Sequence, residues 1–300
     1  MLQSTSLLVV AWLTSGVLST QAPIIGIVSQ NLPPSKDYLS PGGSYIASSY
    51  VKWVEAAGGR VVPLIAGSNQ NFTQLFESIN GVLIPGGAAS LTDSTYSELA
   101  TEMFELAKVA NDAGDFFPIW ATCLGFEFIT LASSDKERHL ARCSSSDQHL
   151  PLDFLEAWEE SRLFKEANSE VIDILTSMNV TANFHVWCLT MENFTKYEMD
   201  TFWTPLSLNT DKDGLEFIST IEAKNYPFYG TQFHPEKNSF EIGHYPTIQH
   251  SREAVLAGNY FAQFFLTEAR RSEHEFVSRY IILGIIFNII LFSTTSIFHF

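Results

Sequence analysis

Short runs of branched apolar residues alternate with amphipathic segments through the first half of the chain. The run PIIGIVSQ at 23–30 is almost wholly apolar, which is typical of a strand buried on both faces. Further along, Tyr50, Trp53 and Ala57 recur at helical spacing until a glycine pair ends the pattern, and Asp93 is the expected N-cap of a later helix. Together these patterns predict strands at 23–30, 60–65, 79–84 and 116–122, and helices at 44–57, 93–114 and 124–133.

The second half of the chain is richer in strand-like segments, which occur at 181–190, 215–223 and 227–234. An amphipathic helix at 252–271 follows them. Strands that alternate with helices in short order indicate βαβ units. We therefore expect one α/β domain over residues 22–271, with three layers: a mainly parallel central sheet and helices on both of its faces.

Both ends of the chain carry apolar segments that are typical of targeting rather than of a folded core. Residues 7–18 are apolar and precede small residues, which predicts a signal peptide over 1–21, with a buried first helix or strand as the alternative. The tail at 272–300 contains an apolar run at 280–300 that approaches the ~20 residues of a membrane span. A transmembrane span or a lipid-anchor signal is expected there, and a buried tail is the alternative.

Three glycosylation sequons agree with a secretory route. They begin at Asn71, Asn179 and Asn193. A single sequon arises easily by chance, but three behind a predicted signal peptide support one another.

Composition narrows the class of protein further. The 300 residues are 46% hydrophobic and 17% charged, with a formal net charge of −16. This balance fills a core, excludes a disordered chain, and lacks the basic surface of a nucleic-acid-binding protein. The cysteine count of three is odd, so at least one thiol is free or pairs with another chain, and pairing of Cys143 with Cys188 stays open. The sequence contains no CxxC, HExxH or EF-hand motif, and we expect no metal site.

The stretch PIWATCLGFEFIT places Cys123 directly after a predicted strand and before a predicted helix. Ligands of open parallel sheets bind beyond the carboxyl ends of the strands. Ala121 and Gly125 are the small neighbours that a sharp strand-to-helix turn around a nucleophile needs. The helix N-terminus would favour the thiolate and lower its pKa. Cys123 is therefore a candidate nucleophile, with a buried structural cysteine as the alternative.

A base and oxyanion donors are available for such a nucleophile. His234 ends an extended run, and Glu236 follows two residues later, so both side chains point to the same side and the carboxylate can orient the imidazole. The N–H of Leu124, next to the nucleophile, and that of Gly87, after another predicted strand, could hold an oxyanion. Ordinary turns are the alternative for these two motifs.

The order of these motifs resembles the gamma-glutamyl hydrolase family, whose fold is flavodoxin-like and of the class I glutamine amidotransferase type. The resemblance rests on INGVLIPGG, FPIWATCLGFE, LTANFHVWCLT and FHPEK, and it covers about residues 23–271. It implies a triad of Cys123, His234 and Glu236 without metal or organic cofactor. The implied reaction is hydrolysis of γ-glutamyl bonds in folate and antifolate poly-γ-glutamates through a thioester. The family also implies a lysosomal or secreted glycoprotein, usually a homodimer.

The resemblance further implies substrate contacts. His185 matches a family histidine at the substrate site, Gln232 a residue beside the triad histidine, and Glu127 lies one helical turn after the nucleophile. From the residues alone, His185 is more typical of a buried position in a sheet. For Glu127, a charged position on the helix surface is an equal alternative to a position in the site. Because the substrate carries many carboxylates and the chain is acidic, we expect positive charge at the mouth of the site, from Lys52 or Lys237.

Two other functions stay open at this stage. A glutaminase module of an amidotransferase would share the triad, although no synthase domain is encoded in the sequence. The second is a non-catalytic, membrane-tethered binding protein on the same fold. The presence of Cys123, His234 and Glu236 argues against it, since such a protein has no need of all three.

Overall fold

The computed structural model describes residues 21–32, 43–134, 139–243 and 247–275, and these ranges contain twelve strands and eight α-helices. The strands are β1 Ile24–Val28, β2 Gln30–Asn31, β3 Ser44–Tyr45, β4 Arg60–Leu64, β5 Gly81–Ile84, β6 Ile119–Thr122, β7 Ala141–Leu150, β8 Asp153–Phe154, β9 Thr181–Cys188, β10 Trp203–Thr210, β11 Glu216–Ala223 and β12 Phe228–Thr231. The helices are α1 Ser48–Ala56, α2 Phe72–Phe76, α3 Thr95–Asp112, α4 Leu124–Ser134, α5 Ser169–Ser177, α6 Met191–Lys196, α7 Lys237–Phe240 and α8 Arg252–Ala269.

An eight-stranded sheet forms the centre of the fold, in the order β4-β1-β5-β6-β12-β11-β10-β8. The five strands from β4 to β12 pair in parallel, and β11, β10 and β8 continue the sheet antiparallel. Ala121 of β6 pairs with Ile84 of β5 on one side and with Gly230 of β12 on the other. The carboxyl ends of three parallel strands therefore meet at one place, which is where the candidate site lies.

The two faces of the sheet are covered by separate apolar clusters. Ile24 and Val28 of β1 pack in the cluster that contains α2, α3 and α4, whereas Ile25 and Ile27 pack in the cluster that contains α1, α5 and α8. Successive side chains of a strand point to opposite faces, so this sorting places helices on both sides of the sheet. The predicted three-layer α/β fold is confirmed.

Strands β7 and β9 form a separate antiparallel ribbon outside the central sheet. The sequence pattern predicted β9 but not its partner. A disulfide between Cys143 and Cys188 joins the two strands, which leaves Cys123 as the free cysteine of the described residues. The ribbon is also tied to the end of β12, because the carbonyl of Ala182 accepts the His234 N–H at 2.9 Å.

Two predicted helix starts are wrong. Helix α1 begins at Ser48 rather than at residue 44, because the residues before it pair with β2 as the short strand β3. Helix α3 is capped by Ser94 rather than by Asp93. The Ser94 side chain accepts the Ser97 N–H, and the Ser97 hydroxyl accepts the Ser94 N–H, so a reciprocal capping box decides between two adjacent residues that both favour N-caps.

The predicted signal peptide and the apolar run at 280–300 fall outside the described residues, apart from residue 21, and both stay predictions. No helix among the described ranges combines the length and the apolar character that crossing a membrane requires. At the other boundary, Asn80 Nδ2 donates to the His274 carbonyl at 2.7 Å, and His274 Nε2 lies 2.8 Å from Asp115 Oδ2. The packed body therefore continues past residue 271, at least to His274.

Candidate active site

Cys123 stands at the turn between β6 and α4 with a left-handed backbone, at φ +52°. Non-glycine residues rarely adopt this conformation, and they keep it only where the surroundings hold them. Here the Cys123 N–H donates to the Thr231 carbonyl at 2.8 Å, and the Cys123 carbonyl accepts the Glu127 N–H at 2.9 Å. The sharp turn predicted around the nucleophile is present. The cysteine itself takes the strain, while Ala121 lies in β6 without a positive φ.

Two glycines allow other elements to approach this turn closely. A Cβ on Gly125 would lie 2.0 Å from the Ile84 carbonyl oxygen, so α4 packs directly against β5. A Cβ on Gly86 would lie 2.6 Å from His234 Cε1 and 3.1 Å from Cys123 Cβ. The edge of the imidazole and the thiol-bearing carbon therefore both lie against the Gly86 backbone, which brings the predicted base to the predicted nucleophile.

The predicted imidazole–carboxylate pair forms. His234 Nδ1 donates to Glu236 Oε1 at 2.7 Å, and both side chains are buried. Burial raises the pKa of Glu236, but the His234 imidazole and the Lys237 ammonium outweigh it, so this pKa lies below its ordinary value. An ionised carboxylate on Nδ1 orients the ring and leaves Nε2 of the neutral imidazole as the proton acceptor.

Cys123 and His234 line a cavity of about 320 Å³. Phe184 forms part of its wall, with its ring edge-on to the His234 ring at a centroid distance of 6.2 Å. Lys237 Nζ lies 5.3 Å from the centre of the Phe184 ring and also lines the cavity. Lys52, the other lysine expected at the mouth, is exposed on α1 and is not among the lining residues.

The thiol of Cys123 is buried, and this burial raises its pKa well above the ordinary value. The carboxylates of Glu127 and Glu236 raise the pKa further, while the Leu124 N–H and Lys237 lower it. The lowered thiol pKa predicted from the helix N-terminus is therefore wrong, because the Leu124 N–H and Lys237 do not offset desolvation and two carboxylates. The thiol starts neutral and has to lose its proton to a base as it attacks.

Glu127 and Gln232 form a buried pair close to the nucleophile. Gln232 Nε2 donates to Glu127 Oε1 at 3.1 Å. Burial raises the pKa of Glu127 to about 8, against the opposing effect of this hydrogen bond. The surface position considered for Glu127 is excluded by its burial. Neither side chain lines the cavity, so the geometry does not support a direct contact with substrate.

His185 is buried in the ribbon rather than in the cavity wall. Its Nε2 lies 3.1 Å from Asn183 Oδ1 and its Nδ1 lies 3.1 Å from the Trp187 carbonyl oxygen. Burial, the largest cause, lowers the pKa of His185 to about 3, so the ring is neutral. Its neighbour Phe184 points to the opposite face of β9 and lines the cavity instead. The predicted substrate contact of His185 thus has no support from this placement.

The loop after β5 offers an unused backbone donor at the cavity. The Gly86 N–H donates to Tyr50 Oη at 2.8 Å, and the Ala88 N–H donates to Gln30 Oε1 at 3.2 Å. Between them, the Gly87 N–H has no hydrogen-bond partner among the described residues. Because Gly87 lines the cavity, its N–H is available to a ligand bound there.

The described residues contain one cluster of metal-ligand type, which consists of Cys143, His185 and Cys188. Its two sulfur atoms form the disulfide of the ribbon, so they are not thiolate ligands in the oxidised protein. Of the sequons, Asn71 and Asn179 are exposed, whereas Asn193 is half-buried and its Nδ2 donates to the His139 carbonyl at 2.8 Å.

Sequence reasoning missed Gln30, Tyr50 and Phe184 as parts of the site. Tyr50 was assigned only to the apolar face of a helix, and Phe184 only to a strand. A signal for Gln30 was present, because it is a polar residue at the carboxyl end of the first buried strand, where ligands of parallel sheets gather.

Known proteins are similar to this chain in sequence or in structure. The sequence model of the peptidase C26 family matches residues 23–236, a range that includes Cys123, His234 and Glu236. A gamma-glutamyl hydrolase from Mus musculus is 44% identical over 259 residues, which are 86% of this chain and 80% of that protein. The gamma-glutamyl hydrolase from Homo sapiens is 41% identical over 262 residues, 87% of this chain and 81% of that protein. A solved glutamine amidotransferase structure from Thermotoga maritima aligns with a TM-score of 0.47 and 9% identity, over 83% of this chain and 99% of that chain.

Proposed function

Because this chain belongs to the peptidase C26 family, we propose that it is a gamma-glutamyl hydrolase that uses Cys123 as its nucleophile. The proposal rests on one observation. Cys123, which has a left-handed backbone, lines the same cavity as His234, whose imidazole is paired with the Glu236 carboxylate. A thiol, an oriented base and a free backbone donor are the parts that acyl transfer needs.

The first half of the reaction transfers the acyl group to the enzyme. Cys123 Sγ attacks the γ-amide carbonyl carbon while His234 takes the thiol proton. The raised pKa of the thiol makes this transfer necessary, and Glu236 stabilises the imidazolium that results. The N–H groups of Leu124 and Gly87 hold the developing oxyanion. As the C–N bond breaks, His234 returns its proton to the leaving amine, and a thioester remains on Cys123.

The second half releases the acyl group. His234 accepts a proton from water, and the resulting hydroxide attacks the thioester carbonyl at the same oxyanion position. The C–S bond breaks, the carboxylic product leaves, and Cys123 regains its proton from the imidazolium. The sum of both halves is one amide and one water converted to one carboxylic acid and one amine.

We assign folate and antifolate poly-γ-glutamates as the substrate class. Lys237 lines the cavity, and although burial lowers the pKa of its ammonium group, Glu236 and Glu241 outweigh burial, so this pKa lies above its ordinary value. Lys237 therefore stays cationic in a strongly acidic protein. Its ammonium group donates to Glu241 Oε2 at 2.5 Å, and its other N–H groups can donate to an α-carboxylate of the glutamyl chain. The Phe184 ring beside it provides an apolar surface.

The test incubates the full chain with pteroyl-tri-γ-glutamate at mildly acidic and at neutral pH, beside Cys123→Ala. We expect chromatography to show shortening of the glutamate chain by the wild type and none by the variant. Glutamine serves as the second substrate. Release of ammonia from glutamine with no shortening of the folate chain would favour a glutaminase instead, and no reaction with either by a folded wild type would favour a binding protein.

The same proposal places the protein in the secretory pathway, with cleavage of the signal peptide near residue 21 and a lysosomal or extracellular location. Glycans are attached to the exposed Asn71 and Asn179. The protein is a homodimer. Attachment to a membrane through residues 280–300 is the last part of the proposal. Glycosidase treatment should increase electrophoretic mobility, and sedimentation should give twice the chain mass. Extraction of membranes with alkaline carbonate should leave the protein in the pellet, and release into the supernatant would contradict the attachment.

A further inference from the structure

The loop that follows β5 is held by two buried side chains. Gln30 Nε2 donates to the Gly86 carbonyl at 2.7 Å, and Gln30 Oε1 accepts the Ala88 N–H at 3.2 Å. Tyr50 Oη accepts the Gly86 N–H at 2.8 Å. Gln30 is 5% exposed and Tyr50 is 3% exposed, so water does not readily replace these bonds if they are lost. Three backbone groups of the loop are therefore fixed from outside it.

The Gly86 carbonyl and the Gly87 N–H belong to one peptide unit. This unit is trans and planar, so its carbonyl and its N–H point in opposite directions. Because Gln30 holds the carbonyl, the Gly87 N–H points away from Gln30. Gly87 lines the cavity together with Cys123. A flipped unit would present a carbonyl oxygen in place of this N–H and would repel an oxyanion.

This peptide unit has a glycine on each side, and glycine adopts positive and negative φ with little difference in energy. Rotation of the unit is therefore easy unless a neighbouring group prevents it. A Cβ on Gly87 would lie only 1.8 Å from Gln30 Oε1, so the glutamine amide packs directly on the Gly87 backbone. The side chain that fixes the unit thus also excludes any larger residue that could stiffen it.

We propose that Gln30 is a positioning residue of the hydrolase. Its amide holds the Gly86–Gly87 peptide unit in the one orientation that presents the Gly87 N–H to the oxyanion. The inference rests on the proposed function, in that it takes Cys123 to be acylated. It adds a residue that acts on the reaction through the backbone of another segment.

Two reactions of Cys123 separate this role from a general structural one. p-Nitrophenyl acetate acylates the thiol through a tetrahedral oxyanion and releases p-nitrophenolate, whereas iodoacetamide alkylates it by displacing iodide without an oxyanion. In Gln30→Met, which removes both hydrogen bonds at similar volume, we expect the acylation rate to fall about 10²–10³-fold, the usual cost of one oxyanion donor. The alkylation rate should not change. With the folate substrate, kcat should fall with acylation while KM stays the same.

Gln70 provides a matched control. Its Oε1 accepts the Ile65 N–H at 2.7 Å and its Nε2 donates to the Pro63 carbonyl at 3.3 Å, so it ties a loop in the same manner. It does not line the cavity. Gln70→Met should leave both rates of Cys123 unchanged.

The ratio of acylation to alkylation decides the question. The proposal is overturned if this ratio in Gln30→Met equals that of the wild type, whether both rates are unchanged or both fall equally. A wild type that is alkylated but not acylated overturns it too, because the oxyanion site would be absent. If Gln30→Met does not fold, Gln30→Glu keeps the acceptor for Ala88 and loses the donor to Gly86, and the same fall in the ratio is expected. A wild type that is acylated but does not shorten folate polyglutamates contradicts the proposed function alone, and the ratio still tests Gln30.

Discussion

Glu236 Oε1 accepts the Nδ1 proton of His234 at 2.7 Å, with only Pro235 between the two residues in sequence. The ring of Pro235 fixes its own φ, which restricts how far the two side chains can separate. The base and its orienting carboxylate are thus one local unit at the end of β12. The nucleophile and the oxyanion donors reach this unit from other strands of the sheet.

Removing the charge of Glu236 should impair catalysis without impairing binding. In Glu236→Gln the amide no longer stabilises the imidazolium or selects the Nδ1-protonated ring, so kcat should fall about 10²–10⁴-fold. Steady-state kinetics with a folate polyglutamate measure kcat and KM, and KM should stay near the wild-type value. Glu268→Gln is the control, because this buried carboxylate accepts a hydrogen bond from Tyr229 away from the cavity. A Glu236→Gln enzyme with wild-type kcat would rule out the triad.

The backbone strain at Cys123 should be visible in stability. A left-handed conformation costs a non-glycine residue about 1–2 kcal/mol, which glycine does not pay. We compare the change from alanine to glycine at two positions. The loss in the free energy of unfolding from Cys123→Ala to Cys123→Gly should be about 1–2 kcal/mol smaller than the loss caused by Ala121→Gly at an ordinary strand position. Urea unfolding of the full chain measures these differences. Equal costs at the two positions would contradict a left-handed Cys123.

Glu127 should make stability depend on pH. Its pKa is about 8 in the folded protein and 4.5 for a free carboxyl, so folding favours the protonated form. The stability that this preference contributes is complete below pH 4.5 and is lost as the pH rises to about 8. Glu127→Gln removes this dependence. As the pH rises through this window, the free energy of unfolding of the variant should therefore increase relative to that of the wild type, by an amount on the order of 4 kcal/mol. If the free energies of unfolding of the wild type and of Glu127→Gln differ by the same amount at every pH of this window, Glu127 is not a buried neutral group.

The same substitution should alter the thiol. The Glu127 carboxylate is one of the groups that raise the pKa of Cys123. Alkylation of Glu127→Gln by iodoacetamide should therefore reach its half-maximal rate at a lower pH than alkylation of the wild type. An unchanged profile would rule out a contribution of Glu127 to the raised pKa of the thiol.

The Cys143–Cys188 disulfide should contribute to stability. It closes a loop with a sequence separation of 45, and a bridge of this kind typically contributes about 2–4 kcal/mol. The double variant Cys143→Ser with Cys188→Ser should lose about that amount in urea unfolding, and wild type treated with reductant should approach it. Cys123→Ser is the control, since it leaves the bridge intact. Labelling of all three cysteines in the unreduced, denatured wild type would show that the bridge does not form.

The sequence by itself determined the features that depend on neighbouring residues. The buried strand β1, the turn at Cys123 and the pairing of His234 with Glu236 follow from periodicity and from spacings of a few residues. The parallel sheet follows from the order of the predicted strands and helices, because a parallel pair needs a crossover between its strands. The strand, the turn and the pairing are local features, whereas the sheet follows from the order of the elements, and the resemblance to a known family agreed with all of them.

Only the tertiary structure decided what depends on residues far apart in the chain. Gln30 reaches Gly86 across 56 residues, and Tyr50 reaches the ring of His234 across 184, so no local pattern indicates either contact. Alternation along β9 implies that Phe184 and His185 face opposite ways, but the packing of the ribbon decides which of them lines the cavity. The lowered pKa that the sequence predicted for Cys123 was wrong for the same reason. The helix N-terminus that lowers it is adjacent in the chain, whereas the desolvation that raises it comes from the whole fold that encloses the thiol.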